Sequence, residues 1–280
     1  MEIECLTQLS TLSHEGRNAI FRLLMRRYPD AVPAGEIASA LGQKASTASA
    51  NLAALREAGL IAQARQGTSL LYRANVTAAQ GLVDFLFNDC CRGRPDICPP
   101  ALTLTSEGTG AMPDKTYSVL FICTGNSARS IIAETLLRDL GEGRFAVQSA
   151  GTKPYSELNP IAVRMLRQKG HDVSALRAKN VAEFQGPDAP SFDFVFTVCD
   201  LAANEECPPW EGQPISAHWG LPDPVKATGT DAEKTLAFQQ TYGALRNRIA
   251  AFTALPLHSL DRISLQAEID RIAATKESDI

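Results

Sequence analysis

The 280-residue chain has no apolar run near the roughly 20 residues needed to cross a membrane, and its start, MEIECLTQLSTLSHEGR, has no apolar signal core. The expectation is a cytoplasmic protein with no membrane partner. An excess of one charge is also missing. The net charge is −4, and neither the part before residue 100 nor the part after it is strongly basic, so bulk charge gives no argument for nucleic acid. Paired C-x-x-C spacings are absent as well. The seven cysteines are Cys5, Cys90, Cys91, Cys98, Cys123, Cys199 and Cys207, and the neighbouring Cys90 and Cys91, with Cys98, fit a four-ligand zinc site poorly. In a reducing compartment the same cysteines imply redox or soft-ion chemistry rather than a disulfide framework. With 45% hydrophobic residues and no compositional bias, the chain has length for two ordinary domains.

What is present centres on residues 117–140, YSVLFI-CTGNSARS-IIAETLLRDL. An apolar run of strand length, a short polar loop and an apolar-periodic helix place Cys123 where a buried parallel strand gives way to a helix. Gly125 and Asn126 tolerate positive φ, so the N–H groups of Thr124, Gly125, Asn126, Ser127, Ala128 and Arg129 can turn inward as a nest. The helix starting near Ser130 aims its positive end at the same point. Arg129 adds a planar fork for an oxyanion. These donors favour thiolate over thiol, so a lowered pKa is expected for Cys123. The alternative is a buried cysteine ending a strand, with Arg129 solvated.

CTGNSARS resembles the anion loop of the low-molecular-weight protein tyrosine phosphatases and, more closely, that of the arsenate reductases built on the same fold. After residue 117 strand and helix alternate: YSVLFI, a helix over 130–140, FAVQS, the helix NPIAVRMLRQKG, SFDFVFTV, PISAHW, and a long helix from about 231 to 253. The alternation predicts a parallel sheet covered by helices, four-stranded if the resemblance holds, with active groups at the carboxyl ends of the strands. The arsenate reductase domain is expected over 117–255, followed by a helical C-terminal tail over 256–280.

The resemblance implies the chemistry. Asp223, in the PDP of GLPDP, matches the general acid of the fold, although PDP also suits a plain turn. Tyrosines that commonly flank this acid in the phosphatases are lacking; VKATGT follows instead. TVCDLAANEECPPW, with Cys199 and Cys207 eight apart, resembles the redox segment of thioredoxin-coupled arsenate reductases. The implied course is attack by Cys123 on arsenate, attack by Cys199 on Cys123 with loss of arsenite, and transfer of the disulfide to Cys199–Cys207 for an external thioredoxin-type reductant. Asn126 is expected to hold the loop, and Ser130 to donate to the Cys123 thiolate. Some relatives bind potassium through an Asn, a Glu, a Ser and an Asp. Asn126, Glu134 and Ser149 match three of these and Lys179 falls at the fourth, so no potassium and no tightly bound cofactor are expected. His171 and His218 are read as structural.

Residues 1–98 read as helices with one hairpin, a mainly α winged helix-turn-helix. GRNAIFRLLMRR is helical, PAGEIASALG is short and ends at Gly42, and KASTASANLAALREAGL ends at Gly59. In that last helix Ala50, Ala53, Ala54 and Leu55 or Leu52 are expected inward, with Ser46, Thr47, Ser49 and Asn51 toward DNA. LIAQARQGTSLLYRAN alternates about Gln66-Gly67-Thr68 as a hairpin, with Arg65 and Arg73 available for phosphate. The order resembles the winged helix of the arsenic-repressor (ArsR/SmtB) family, which implies operator DNA as a partner and a homodimer through the first and last helices.

The last helix, TAAQGLVDFLFNDCC, runs into RGRPDICPP. Cys90, Cys91 and Cys98 offer three soft ligands without a fourth, the geometry of As(III) or Sb(III), and DCCRGRPDIC resembles the arsenite-sensing end of one repressor branch. The CVC pair of other branches is absent from EIASALG. Three incidental thiols are the alternative, and Cys5 is read as packing. Residues 99–116, rich in Pro, Gly, Ser and Thr, are expected to be a linker. The reading is an arsenic-responsive repressor fused to an arsenate reductase. Its rivals are a phosphatase fused to a regulatory module and a pure sensor with an inactive reductase half.

Overall fold

In the computed structural model, which describes residues 2–91, 115–186, 189–205, 210 and 212–275, the chain divides into two units, each with its own core. Cys98, Cys207 and nearly all of the expected linker lie outside the described residues.

The first unit is mainly helical. Helices α1 (Glu2–Leu12) and α2 (Glu15–Arg26) precede a two-residue strand β1 (Val32–Pro33), then α3 (Ala34–Ala40) and α4 (Ala45–Glu57). The hairpin β2 (Ile61–Gln66) and β3 (Ser69–Ala74) turns at Gly67, whose φ of 59° suits glycine. The sequence predicts two strands here; β1 makes a third, because Val32 and Pro33 pair antiparallel with Tyr72 and Leu71, giving the order β1-β3-β2. Helix α5 (Val76–Phe85) is capped by the Asn75 side chain and closes with a π-helical turn over Leu86–Cys90. Ile20, Leu23 and Leu24 of α2 are buried with Ile37, Leu52, Leu55, Leu60 and Tyr72, so the helical periodicity of α2 is what builds this core.

The second unit is a four-stranded parallel sheet of order β5-β4-β6-β7, from β4 (Tyr117–Cys123), β5 (Phe145–Gly151), β6 (Phe194–Thr197) and β7 (Ile215–His218). Helix α6 (Arg129–Leu140) follows β4, α7 (Pro160–Gln168) follows β5 and the short α8 (Asp200–Asn204) follows β6; α9 (Asp231–Thr253) and α10 (Arg262–Ala274) complete the unit. Burial on both faces explains the near-continuous apolar reading of Val119, Leu120, Phe121 and Ile122. An aromatic cluster fills the core, with Phe196 stacked on Trp219 at 4.2 Å and Phe252 of α9 set edge-on to Phe196. Helix α9 begins at a capping box of Thr230 and Glu233, a local signal that fixes its start. Helix α10, placed by the sequence in a tail, buries Leu265 and Ile269 in the same core.

Candidate functional site

The parallel order brings the carboxyl ends of β4 and β6 side by side, with Ile122 paired to Thr197, so Cys123 and Cys199 follow neighbouring strands. Both sulfurs are buried, Cys123 at 3% and Cys199 at 1% exposure. The loop between β4 and α6 wraps the first sulfur. The Asn126 main-chain N–H donates to Cys123 Sγ at 3.1 Å, and Ser130 Oγ lies 2.9 Å from it. Asn126 sits at φ 43°, the left-handed conformation that aims its N–H inward. The same loop reaches the second sulfur: Thr124 Oγ1 and Cys199 Sγ are 3.4 Å apart. Cys199 also caps α8, its sulfur accepting from the Ala202 N–H at 3.4 Å.

The donor set suggested a Cys123 pKa below the ordinary thiol value. The folded site corrects this. Burial pushes the Cys123 thiol up, the nearby Cys199 adds to the rise, and the Ser130 hydrogen bonds and Arg129 only partly offset them. The guanidinium is itself paired. Arg129 Nη2 lies 3.0 Å from Asp223 Oδ2, and Nη1 donates to the Leu221 carbonyl at 2.9 Å. Asp223 Oδ1 meanwhile accepts the Val225 N–H at 3.2 Å and caps a 3-10 turn over Pro224–Lys226, so the turn reading of PDP and a place beside Arg129 hold together.

Beneath the loop lies a buried polar network. Asn126 Nδ2 donates to Ser130 Oγ and Ser149 Oγ, both at 2.8 Å, and Asn126 Oδ1 accepts the Lys179 N–H at 2.7 Å. Ser149 Oγ donates to Glu134 Oε2 at 2.5 Å, and Lys179 Nζ to the same oxygen at 2.9 Å. The ammonium thus stands with the three oxygen-bearing residues Asn126, Ser149 and Glu134. Gly151 is forced by the same crowding, since a Cβ there would meet the Thr124 carbonyl at 2.6 Å. Ser127 and Ala128 are buried in the loop.

Two features near the sulfurs carried no sequence signal. The Tyr155 ring, 61% exposed, covers Gly125, where an added Cβ would meet it at 2.5 Å. It borders a cleft of about 270 Å³ lined also by Ser127, Asn159 and Val225. His218, at the end of β7, joins Thr197 at 2.8 Å to Asp200 at 3.1 Å.

In the first unit Ser46, Thr47 and Ser49 of α4 are exposed, and so are Arg65 and Arg73. Asn51 departs from the expected DNA-facing set: it is 8% exposed, bonds Gln43 at 3.4 Å and packs against Gly16. Ala48, Asn51, Leu52 and Leu55 form the inward face, while Ala50 is exposed. The arginines also part company. Ala62 pairs with Arg73 and Arg65 with Leu70, so alternation puts Arg65 and Arg73 on opposite faces of the hairpin. Cys90 is exposed and Cys91 half-buried at the end of the π turn. Cys5 is buried.

Comparison with known proteins agrees with both halves. The low molecular weight phosphotyrosine protein phosphatase family matches residues 118–264, and a helix-turn-helix domain family matches residues 12–64. The chain is similar to an arsenate reductase of Bacillus licheniformis, 36% identical over 136 residues that make up 48% of this chain and 94% of that protein. An arsenate reductase of Bacillus subtilis is 34% identical over 135 residues, 48% of this chain and 93% of that protein. A glutaredoxin arsenate reductase of Synechocystis is 31% identical over 131 residues, 47% of this chain and 92% of that protein. The chain therefore belongs to the low-molecular-weight phosphotyrosine protein phosphatase family; over its C-terminal half it is a homologue of arsenate reductases, and in this chain a helix-turn-helix domain precedes that half.

Proposed function

We propose that the second unit reduces arsenate to arsenite through Cys123, Cys199 and Cys207 in turn, and that the first unit is an arsenic-responsive repressor. The observation that carries the enzymatic reading is the sharing of one loop by two buried sulfurs: Asn126 and Ser130 on Cys123, Thr124 on Cys199. A phosphatase needs the first sulfur only.

The reaction balances on these residues. Arsenate enters against the loop N–H groups and Arg129, and as a dianion it is a base able to take the proton of the neutral Cys123 thiol. Cys123 Sγ forms a bond to arsenic, and one arsenic oxygen leaves as water with a proton from Asp223. Cys199 Sγ then attacks Cys123 Sγ. The S–As bond pair passes to arsenic, so As(V) becomes As(III) while two thiols become one disulfide. Cys207 attacks Cys199, returns Cys123 to the thiol state and presents the Cys199–Cys207 disulfide to an external dithiol protein of thioredoxin type. The Lys179 ammonium on Glu134 would take the place of a potassium ion under the loop.

The first unit supports operator binding through the exposed hydroxyls of Ser46, Thr47 and Ser49 on α4 and through the hairpin arginines. As(III) is proposed to bind Cys90, Cys91 and Cys98. Exposed Ile3 and Leu6 on α1 and Val76 and Val83 on α5 favour a homodimer through these helices. Domain limits of 1–98, 99–116, 117–255 and 256–280 belong to the same proposal, with cytoplasmic operation.

Tyr155 favours one second reading, aryl phosphate hydrolysis, because an exposed ring over the anion loop can stack on an aryl group. The test is turnover of arsenate and of an aryl phosphate by wild type and Cys199→Ser. Arsenate turnover lost in Cys199→Ser supports the relay; aryl phosphate turnover that survives it and exceeds arsenate turnover supports the phosphatase.

A further inference from the structure

The relay requires Cys199 to hold its sulfur at the anion loop and afterwards to give it up to Cys207, so whatever fixes the start of α8 sets when exchange occurs. Three residues from three places in the chain meet there. Thr197 is the last residue of β6, Asp200 the first of α8, and His218 the last of β7. The His218 ring is fully buried and spans the other two: Thr197 Oγ1 to Nδ1 at 2.8 Å, Nε2 to Asp200 Oδ1 at 3.1 Å. An Asp carboxylate only accepts, so Nε2 carries a proton toward Asp200, and the Thr197 hydroxyl, which can donate or accept, completes the bridge at Nδ1. Gly220 leaves the space for this bridge, since a Cβ there would collide with His218 Nε2 and Asp200 Oδ1. The Trp219 N–H donates to the Thr197 carbonyl at 2.7 Å, so β7 and the end of β6 are also joined by main chain.

We propose that His218 is a positioning residue for thiol exchange: through Asp200 it latches the first turn of α8 to the sheet and thereby holds the Cys199 sulfur beside Thr124 and Cys123. The proposal rests on the relay reading and assigns its timing. Only five residues long, α8 has too few hydrogen bonds of its own to stay formed, so its place depends on such ties. The side chain of Asp200 is half exposed, at 51%, so the latch opens to the surface side while the imidazole stays in the core. Cys199 itself is the N-cap of α8, and release of Asp200 frees the sulfur and the helix start together.

The experiment compares the full-length chain with Asp200→Ala, Asp200→Asn, His218→Gln and His218→Phe. Alkylation of Cys199 without arsenate is followed by peptide mass spectrometry, and Cys123–Cys199 disulfide formation is followed in a single turnover with arsenate. Loss of one hydrogen bond to a charged group should change each rate on the order of tenfold. Asp200→Ala and His218→Phe are expected to speed Cys199 alkylation and slow disulfide formation by that factor, with arsenate KM within about twofold of wild type. Asp200→Asn, which can still accept from Nε2, and His218→Gln, whose amide can still reach Asp200, should recover most of the loss. Should the buried His218 variants fail to fold, the surface pair at Asp200 decides. Alkylation within twofold of wild type in Asp200→Ala, or equal losses in kcat and KM, overturns the latch. A wild-type chain that forms no Cys123–Cys199 disulfide contradicts the relay instead, and is told apart from a failed latch by the alkylation result.

Discussion

Arg129 and Asp223 are paired at 3.0 Å, so the guanidinium that would grip the oxyanion and the carboxyl that would protonate the leaving oxygen hold each other before substrate arrives. Oxyanion binding must compete with that pair. Asp223→Asn is therefore expected to tighten competitive inhibition by phosphate, by removing a rival anion, while lowering kcat by roughly 10²-fold or more through loss of the acid. Steady-state kinetics with phosphate as inhibitor checks both directions. Weaker phosphate binding with unchanged kcat would refute the pairing argument.

The Cys123 thiol lies above its ordinary value because burial outweighs the Ser130 and Arg129 contributions. The sign follows directly. Below the raised pKa the sulfur is neutral, so its alkylation rate should climb with pH through a range above that of an exposed cysteine. Ser130→Ala removes a stabiliser of the thiolate and should shift the profile further toward alkaline pH. A profile that moves to lower pH would count against this balance.

Glu134 and Lys179 form a salt bridge whose side chains are 6% and 5% exposed, under the loop that carries Cys123. Removing one member strands a buried charge, so Lys179→Met should cost roughly 3–5 kcal/mol of stability. The double variant Lys179→Met with Glu134→Gln should recover part of that loss. Denaturant titration of the full chain measures it, and a Lys179→Met protein as stable as wild type would contradict the role given to this pair.

For the first unit, substitution of Cys90 and Cys91 by Ser should leave operator affinity within about twofold and abolish the response to As(III), since three thiolates are needed to satisfy the ion. Gel-shift titration with and without arsenite reads both. Loss of operator binding by the same variant would assign these cysteines to DNA contacts or folding instead.

What the sequence reveals follows the range of the interactions involved. The helix at Asp231–Thr253 is legible in outline, from about 231 to 253, and the capping box that sets its start is a local signal; the strand ending at Cys123 is legible because burial on both faces leaves an unbroken apolar run. Helix α4 is harder to orient: rich in alanine, it has a shallow apolar stripe, so the sequence places Asn51 on the DNA side whereas the fold buries it. β1 escaped notice because two residues have no periodicity, and they are strand only through Tyr72 and Leu71. The raised Cys123 pKa and the Arg129–Asp223 pair were hidden for a related reason, since both depend on groups brought together by the fold from distant positions. Thr197, Asp200 and His218 likewise become one chain of hydrogen bonds only after β6 and β7 pair.

The most direct test of the cysteine relay is arsenate-dependent consumption of reductant by the purified full-length chain with a thioredoxin system, beside Cys123→Ser, Cys199→Ser and Cys207→Ser. The account predicts steady turnover by wild type, none by Cys123→Ser, and no sustained cycle by the other two. Sustained turnover in Cys199→Ser, or none in wild type with either thioredoxin or glutaredoxin as donor, would contradict it.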